Sequence, residues 1–239
     1  MVERDVESKA IHGDLTAFCS IDTSKMEWTS SPSGTVWRKR VHLVGAAESG
    51  QVTSIVRYER NSNFPEHDHP DGEEILVLDG VFSDQQGDWP AGTFLLNPEG
   101  FRHAPFSREG CVLLVKLRQY PGLDRQQVAM DTHSLAWQPT AVQGVSSKPL
   151  YAQNGYADTM ELQKWEAGAD PGEVVYSEGA EIFVIEGAFT DDTGSYANGS
   201  WLRFPAQARH HPHTRSGCTL YLKKAGLKCL RSEAGPGSR

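Results

Sequence analysis

The chain has no basic run longer than Arg38 to Arg40, no apolar stretch of more than a handful of residues, no CxxC pair and almost no helical periodicity. Each absence excludes something. In 239 residues, 23 Lys and Arg stand against 31 Asp and Glu, a formal net charge of -8, which argues against electrostatic capture of nucleic acid. The short apolar runs cannot cross a bilayer as helices, and the opening MVERDVESKA is charged where a signal peptide needs an apolar segment. A cytoplasmic protein with no membrane or nucleic-acid partner is the expectation. Cys19, Cys111, Cys218 and Cys229 have no short metal spacing and are expected as reduced, mostly buried thiols.

What the chain does have is an internal repeat. "EILVLDGVFSDQQGDWPAGTFLLNPEGFRHAPFSREGCVLLVK" and "EIFVIEGAFTDDTGSYANGSWLRFPAQARHHPHTRSGCTLYLK" align without a gap at an offset of 107 residues. The offset pairs Glu74 with Glu181, Gly80 with Gly187, Phe82 with Phe189, Asp84 with Asp191, His103 with His210, Cys111 with Cys218 and Lys116 with Lys223. Within each copy, β-branched and aromatic runs bounded by Gly, Asp and Pro predict short strands joined by turns. Closely spaced strands point to a sandwich or barrel. The expected organisation is an extension over residues 1–27, a first barrel over 28–135, a second over 136–228 and a disordered tail over 229–239.

Five of the nine histidines fall in two groups, His67/His69 and His210/His211/His213. In "EHDHPDGEE" the two histidines lie two apart on a strand end, so both project to one face, into the barrel. After the Pro-Asp-Gly turn, Glu73, Ile75 and Val77 share one strand face, while Glu74, Leu76 and Leu78 share the other. The repeat separates the two glutamates. Glu74 has Glu181 as its partner, whereas His67, His69 and Glu73 face Val174, Tyr176 and Ala180 in the second copy. Groups lost together are what a shared ligand set predicts. Glu73 therefore goes with the histidines, and His103 supplies a fourth ligand from a later hairpin. His210 remains at the fourth position of the second copy as a remnant, with His211, His213 and Glu178 as alternative donors there.

Both copies resemble the paired motifs of cupins, and "DGEEILVLDGVFSDQQGDWPAGTFLLNPEGFRHAPFS" closely resembles the ChrR-type cupin family. That family includes the cupin domain of the ChrR anti-sigma factor and relatives of the acetylacetone-cleaving dioxygenases. The resemblance covers roughly residues 28 to 225. It implies an all-β tandem double cupin, two small jelly-roll barrels, with metal ligands at His67, His69, Glu73 and His103. Two departures stand out. Ser107 occupies a motif position often held by Asn, and the H-x3-C-x2-C motif of zinc-dependent anti-sigma factors is absent, since His12 and Cys19 lack that spacing. A sigma-factor partner is therefore not expected.

Three imidazoles and a carboxylate suit zinc or iron(II) first, with manganese, nickel or copper as further options, because no thiolate selects a soft metal. Two functions follow. One is a dioxygenase-like enzyme acting on a small oxygen-rich molecule such as a diketone, its pocket lined by Ile75, Val77, Phe94 and Leu96. Arg57 and Tyr58 are candidate polar pocket residues by their position near the motifs, and so is Arg102, with solvated surface positions as the plainer expectation. The other function is a non-catalytic zinc sensor or anti-sigma-like module. The second barrel is expected to serve packing or dimerisation, and a homodimer is expected from the exposed edges of such sheets.

Overall fold

Residues 10–233 are described by the structure, a computed structural model. Their regular structure is almost all strand, as the β-branched runs predict. The helical elements are 3-10 turns of three or four residues. None of them is long and apolar enough to cross a membrane.

The described chain forms two units, one from residues 10–15, 27–129 and 229–233, the other from residues 16–26 and 130–228. In the first unit an antiparallel sheet runs in the order Thr93–Asn97, Glu73–Asp84, Cys111–Leu117, Gln51–Tyr58, Val36–Val44. A separate ribbon pairs His67–His69 with Phe101–His103. Ile75, Val77, Phe82, Leu95, Leu113 and Val115 form the centre of its core. The second unit repeats the plan with Ser200–Phe204, Ala180–Asp191, Cys218–Lys224, Thr159–Trp165 and Val145–Tyr151, and its ribbon pairs Val174–Tyr176 with Ala208–His210. From the first histidine strand onward, strands of the first unit recur 107 positions later with unchanged lengths: His67–His69 as Val174–Tyr176, Glu73–Asp84 as Ala180–Asp191, Thr93–Asn97 as Ser200–Phe204.

A β-bulge decides which side chains reach the interior. Leu113 pairs with Val77 and Val112 with Asp79, so Leu78 is the extra residue. Ile185 is the extra residue at the same place in the second unit, between Val184 and Glu186. An unpaired residue reverses the alternation of everything beyond it. Ile75 and Val77 face the core before the bulge, and Phe82 and Asp84 face it afterwards. Gly80 and Gly187 follow the bulge at φ 72 and 72, where a Cβ would run into the carbonyls of Gly110 and Gly217. Both the left-handed backbone and the close approach require glycine.

The unit boundaries differ from the expected ones at both ends. Of the expected extension 1–27, residues 19–22 belong to a domain, because Cys19–Asp22 pairs with Ser200–Phe204 as a strand of the second unit. The 3-10 turn Thr23–Lys25 follows, capped by Asp22. The counterpart is Val128–Asp131, beside Thr93–Asn97, followed by Thr132–Ser134 capped by Asp131. Each copy thus lends its opening strand to the sheet built by the other copy. The tail is anchored as far as residue 233: Gln51 Nε2 donates to Cys229 O at 2.8 Å, and Arg231 N donates to Gln51 Oε1 at 2.6 Å. The expected disorder of residues 234–239, and the charged opening residues 1–9, lie outside the described residues.

The scaffold role of Glu74 has a structural basis. It is opposed to Lys116 in register and accepts a hydrogen bond from the buried Tyr120 hydroxyl. Glu181 and Lys223 repeat the cross-strand pair. Ser107, at the position often held by Asn, donates its hydroxyl to Val81 O at 2.6 Å, and Thr214 does the same to Ala188 O at 2.6 Å. All four cysteines are free thiols. Burial pushes Cys111 up to about 11 and Cys218 up to about 12, which makes both inert at neutral pH.

Candidate metal centre

Antiparallel register places the histidines. In the ribbon His103 lies opposite His67, and Phe101 lies opposite His69, so the side chains of 67, 69 and 103 share one face. The turn after His69 is closed by Gly72 N donating to His69 O at 3.1 Å, with Asp71 at φ 55 and Gly72 at φ 69. It delivers Glu73 to the same place.

The structure brings one ligand nitrogen from each of His67, His69 and His103 within 4.8 Å of the others. His69 Nε2 and His103 Nε2 are 2.9 Å apart, and Glu73 Oε2 lies 3.7 and 3.6 Å from them. His69, Glu73 and His103 are buried, while His67 is half-buried at the rim. The far side of two rings is anchored. His103 Nδ1 donates to Asp84 Oδ2 at 3.2 Å and His67 Nδ1 to Pro65 O at 2.9 Å. Those bonds place the ring proton on Nδ1 and turn the Nε2 lone pairs inward. Glu73 Oε2 accepts from Asn97 Nδ2 at 3.0 Å. Inward lone pairs converging beside a buried carboxylate are the donor set of a divalent cation, so these residues fit a metal ion.

The electrostatics agree. Burial, chiefly, keeps His69 below the ordinary imidazole range despite the opposing charge of Glu73, so its neutral ligating form prevails. Burial pushes Asp84 up, but hydrogen bonds from His103, Gln86 N and Trp89 outweigh it and leave the carboxyl below its ordinary value. Asp84 is thus a carboxylate dedicated to one ring.

The centre forms the floor of a cavity of about 100 Å³ within the first unit. Tyr58, Phe64, Phe82, Val56, Ile75 and Leu113 line its walls, and Arg38, Arg40, Glu48 and Arg118 line its mouth. Several expected pocket residues lie elsewhere. Phe94 and Leu96 are buried on the opposite face of their strand, because Leu95 pairs with Ile75 and Asn97 pairs with Glu73. Val77 packs in the core and does not line the cavity. Arg57 stacks over Trp28 and Trp37 at 4.6 and 5.7 Å on the outer face. Arg102 is exposed, paired with Glu66 and Asp68 at 3.2 and 3.1 Å. Tyr58, by contrast, is buried against Phe64 and Phe82. Burial first, and the Glu73 charge second, raise its phenol far above the ordinary value and keep it a neutral donor.

Reasoning from sequence missed Asp84, Asn97, Arg38, Arg40, Glu48 and Arg118. A signal existed for the first two. Asp84 and His103 recur together as Asp191 and His210, and Asn97 becomes Phe204 where Glu73 becomes Ala180.

In the second unit the corresponding space is filled. Phe204 packs on His210 with ring centroids 4.5 Å apart, and Tyr176 lies 5.1 Å from Phe204. His210 Nδ1 bonds Asp191 Oδ2 at 3.0 Å, while its Nε2 is buried among these rings without a hydrogen bond. His213 bonds Thr190 Oγ1 at 2.9 Å and His211 faces Asp192 at the surface. Among the described residues, only the first unit gathers three such donors.

Burial, first, and the neighbouring His211 hold His210 below the ordinary imidazole range against the pull of Asp191. The unfolded chain then binds a proton before the folded one does. Stability is fully present above about pH 6.5 and falls as pH drops through the window down to the lowered folded value. The midpoint of urea unfolding is expected to fall between about pH 7 and pH 5, and to fall less in His210→Gln. An unchanged pH slope in that variant would exclude this pair as a source.

A family model described as the ChrR Cupin-like domain matches the chain twice, over residues 16–121 and 125–228. No curated protein matches it. Among solved structures, a Nostoc punctiforme protein described as a "putative dioxygenase" superposes with a TM-score of 0.71 at 15% identity, covering 92% of this chain and 88% of that one. A bacterial pirin from Escherichia coli in complex with nickel(II) gives 0.62 at 18% identity, covering 87% and 98%. A variant of oxalate decarboxylase from Bacillus subtilis gives 0.59 at 12%, covering 90% and 78%. These likenesses concern the fold. Both matched segments carry the same strand plan and only one keeps the donors: the chain belongs to the ChrR cupin-like domain family and is a double cupin.

Proposed function

We propose that the protein is a mononuclear metal enzyme of dioxygenase type, acting on a small oxygen-rich molecule in the first cupin domain. The observation that carries this reading is the convergence of His67, His69, His103 and Glu73 at the floor of a small cavity whose walls are apolar. A closed structural site would have no use for such a cavity. The solved relatives described as a "putative dioxygenase" and as a nickel(II) complex support a metal-dependent chemistry on this fold.

Each protein group has a definite part. His67, His69, His103 and Glu73 hold the ion, zinc or iron(II) first, with manganese or nickel as further options. Asp84 keeps the proton on His103 Nδ1, and Asn97 orients Glu73. Tyr58, Phe64 and Phe82 shield the floor from bulk water. The ion supplies Lewis acidity and, as iron(II), a redox centre for dioxygen chemistry.

The test is elemental analysis of the purified protein, followed by oxygen uptake on the iron(II)-loaded form with charged and neutral β-dicarbonyl compounds. Metal-dependent uptake with one of them is the expected result. Stoichiometric zinc with no uptake by the iron(II) form would sink the enzyme reading in favour of a zinc-stabilised sensor.

A further inference from the structure

The cavity mouth is strongly cationic. Arg38 and Arg40 lie two apart on Val36–Val44, opposite Val56 and Ser54. Both therefore point to the inner face of the hairpin, while Trp37 and Lys39 point out. Arg118, at φ 60, follows the strand Cys111–Leu117 and lines the same cavity. Two of these three guanidiniums share one carboxylate. Glu48 bridges Arg38 Nη1 at 2.5 Å and Arg40 Nη2 at 2.8 Å. The arginine side chains are 19% and 12% exposed, against 46% for the Glu48 side chain. Farther out, Arg231 and Asp71 pair at 3.5 Å and cancel each other. The mouth thus keeps a surplus of positive charge above an apolar wall.

The degenerate copy shows that this surplus is not needed for the fold. The residue opposite Gln163 is Ser147 and the residue opposite Glu161 is Pro149, the register places that Arg38 and Arg40 hold opposite Val56 and Ser54. Arg118 becomes Ala225, with the same left-handed backbone at φ 57. The outward neighbour is kept: Lys39 stacks over Trp28 at 4.5 Å, and Lys148 stacks over Trp137 at 4.5 Å. So the three arginines disappear together with His67, His69 and Glu73, while the structural Lys/Trp pair survives.

We infer that Arg38, Arg40 and Arg118 bind the carboxylate of a small organic acid whose other end reaches the imidazole-carboxylate centre. Glu48 already shows a carboxylate in this place, each of its oxygens taking one bond from a different guanidinium. It competes for that place from an exposed position on the hairpin loop. A cavity of about 100 Å³ limits the acid to a small molecule. The assignment rests on the metal-centre reading above and names the substrate class for it.

The probe is malonate, with malonamide as its neutral isostere, titrated calorimetrically into the zinc-loaded protein, which cannot turn either over by redox chemistry. Malonate is expected to bind roughly tenfold or more tightly than malonamide, and Arg40→Gln and Arg118→Gln to weaken malonate by a similar factor at unchanged zinc content. Glu48→Gln keeps every arginine and is expected to tighten malonate, a change that a purely structural role would not produce. It also decides the matter if an arginine variant fails to fold. Equal binding of malonate and malonamide, or weaker malonate binding in Glu48→Gln, overturns the inference. A wild-type protein that takes up neither zinc nor iron(II) overturns the metal reading instead, so the two failures are separate.

Discussion

His69→Ala is expected to leave the purified protein without metal, whereas His213→Ala leaves the metal content unchanged. His69 is a buried link between the two sides of the centre, its Nε2 2.9 Å from His103 Nε2 and 3.7 Å from Glu73 Oε2. Alanine removes one of four donors and opens a void beside the remaining three. Losing a residue that merely supports a ligand costs roughly ten- to a hundredfold in metal affinity, so losing the ligand itself is expected to exceed a hundredfold. His213, by contrast, is exposed and occupied by Thr190. Elemental analysis and competition with a chromophoric chelator measure both variants. Because metal bound to the native state alone adds to its stability, the wild type should melt higher with metal than without it, and His69→Ala should not respond. Retention of metal by His69→Ala would overturn the ligand assignment.

Asp84→Asn is expected to weaken metal binding by roughly ten- to a hundredfold, while Asp191→Asn leaves it untouched. An amide is nearly isosteric with the carboxylate, so packing survives, but its NH2 can turn toward His103 Nδ1 where an oxygen now accepts at 3.2 Å. The ring then gains by moving its proton to Nε2, the atom that must stay bare to hold an ion. Bonds from Gln86 N and Trp89 Nε1 to Asp84 Oδ1, at 2.8 and 3.3 Å, favour keeping an oxygen on that side and so force the NH2 toward the histidine. In the second unit the same exchange at Asp191 disturbs only a buried pair. Chelator competition on the two variants separates these roles, and equal affinity in wild type and Asp84→Asn would show that the carboxylate does not set the tautomer of His103.

The duplication made much of the molecule legible from sequence. Gapless pairing of Gly80 with Gly187, and of Glu74 with Glu181, marks positions where the backbone or a cross-strand pair has no alternative, and both copies keep them. Co-loss of His67, His69 and Glu73 separated function from scaffold. The same logic would have reached Asn97, replaced by Phe204, because it changes in step with them.

Other features depend on pairing, which sequence spacing does not carry. Strict alternation sets Asp84 on the face of Glu74, and only the extra residue Leu78 turns it toward His103. Phe94 and Leu96 look as apolar as Leu95, yet register against Glu73 and Ile75 decides which of them faces the interior. Arg38 and Arg40 on one strand and Arg118 just past another are far apart in the chain and line one cavity with Glu48 only once the hairpin and its neighbours close. The strand Cys19–Asp22 belongs to the sheet of the other copy, which no local pattern announces.

By itself, then, the sequence determined the duplicated all-β plan and the candidate residues that change together between the copies, because repeats expose which side chains vary together. Tertiary structure alone decided which acid orients His103, which residues wall the cavity and where its cationic mouth lies. Strand register, bulges and long-range pairing set the direction of every side chain in a sheet, and none of these is encoded in local spacing.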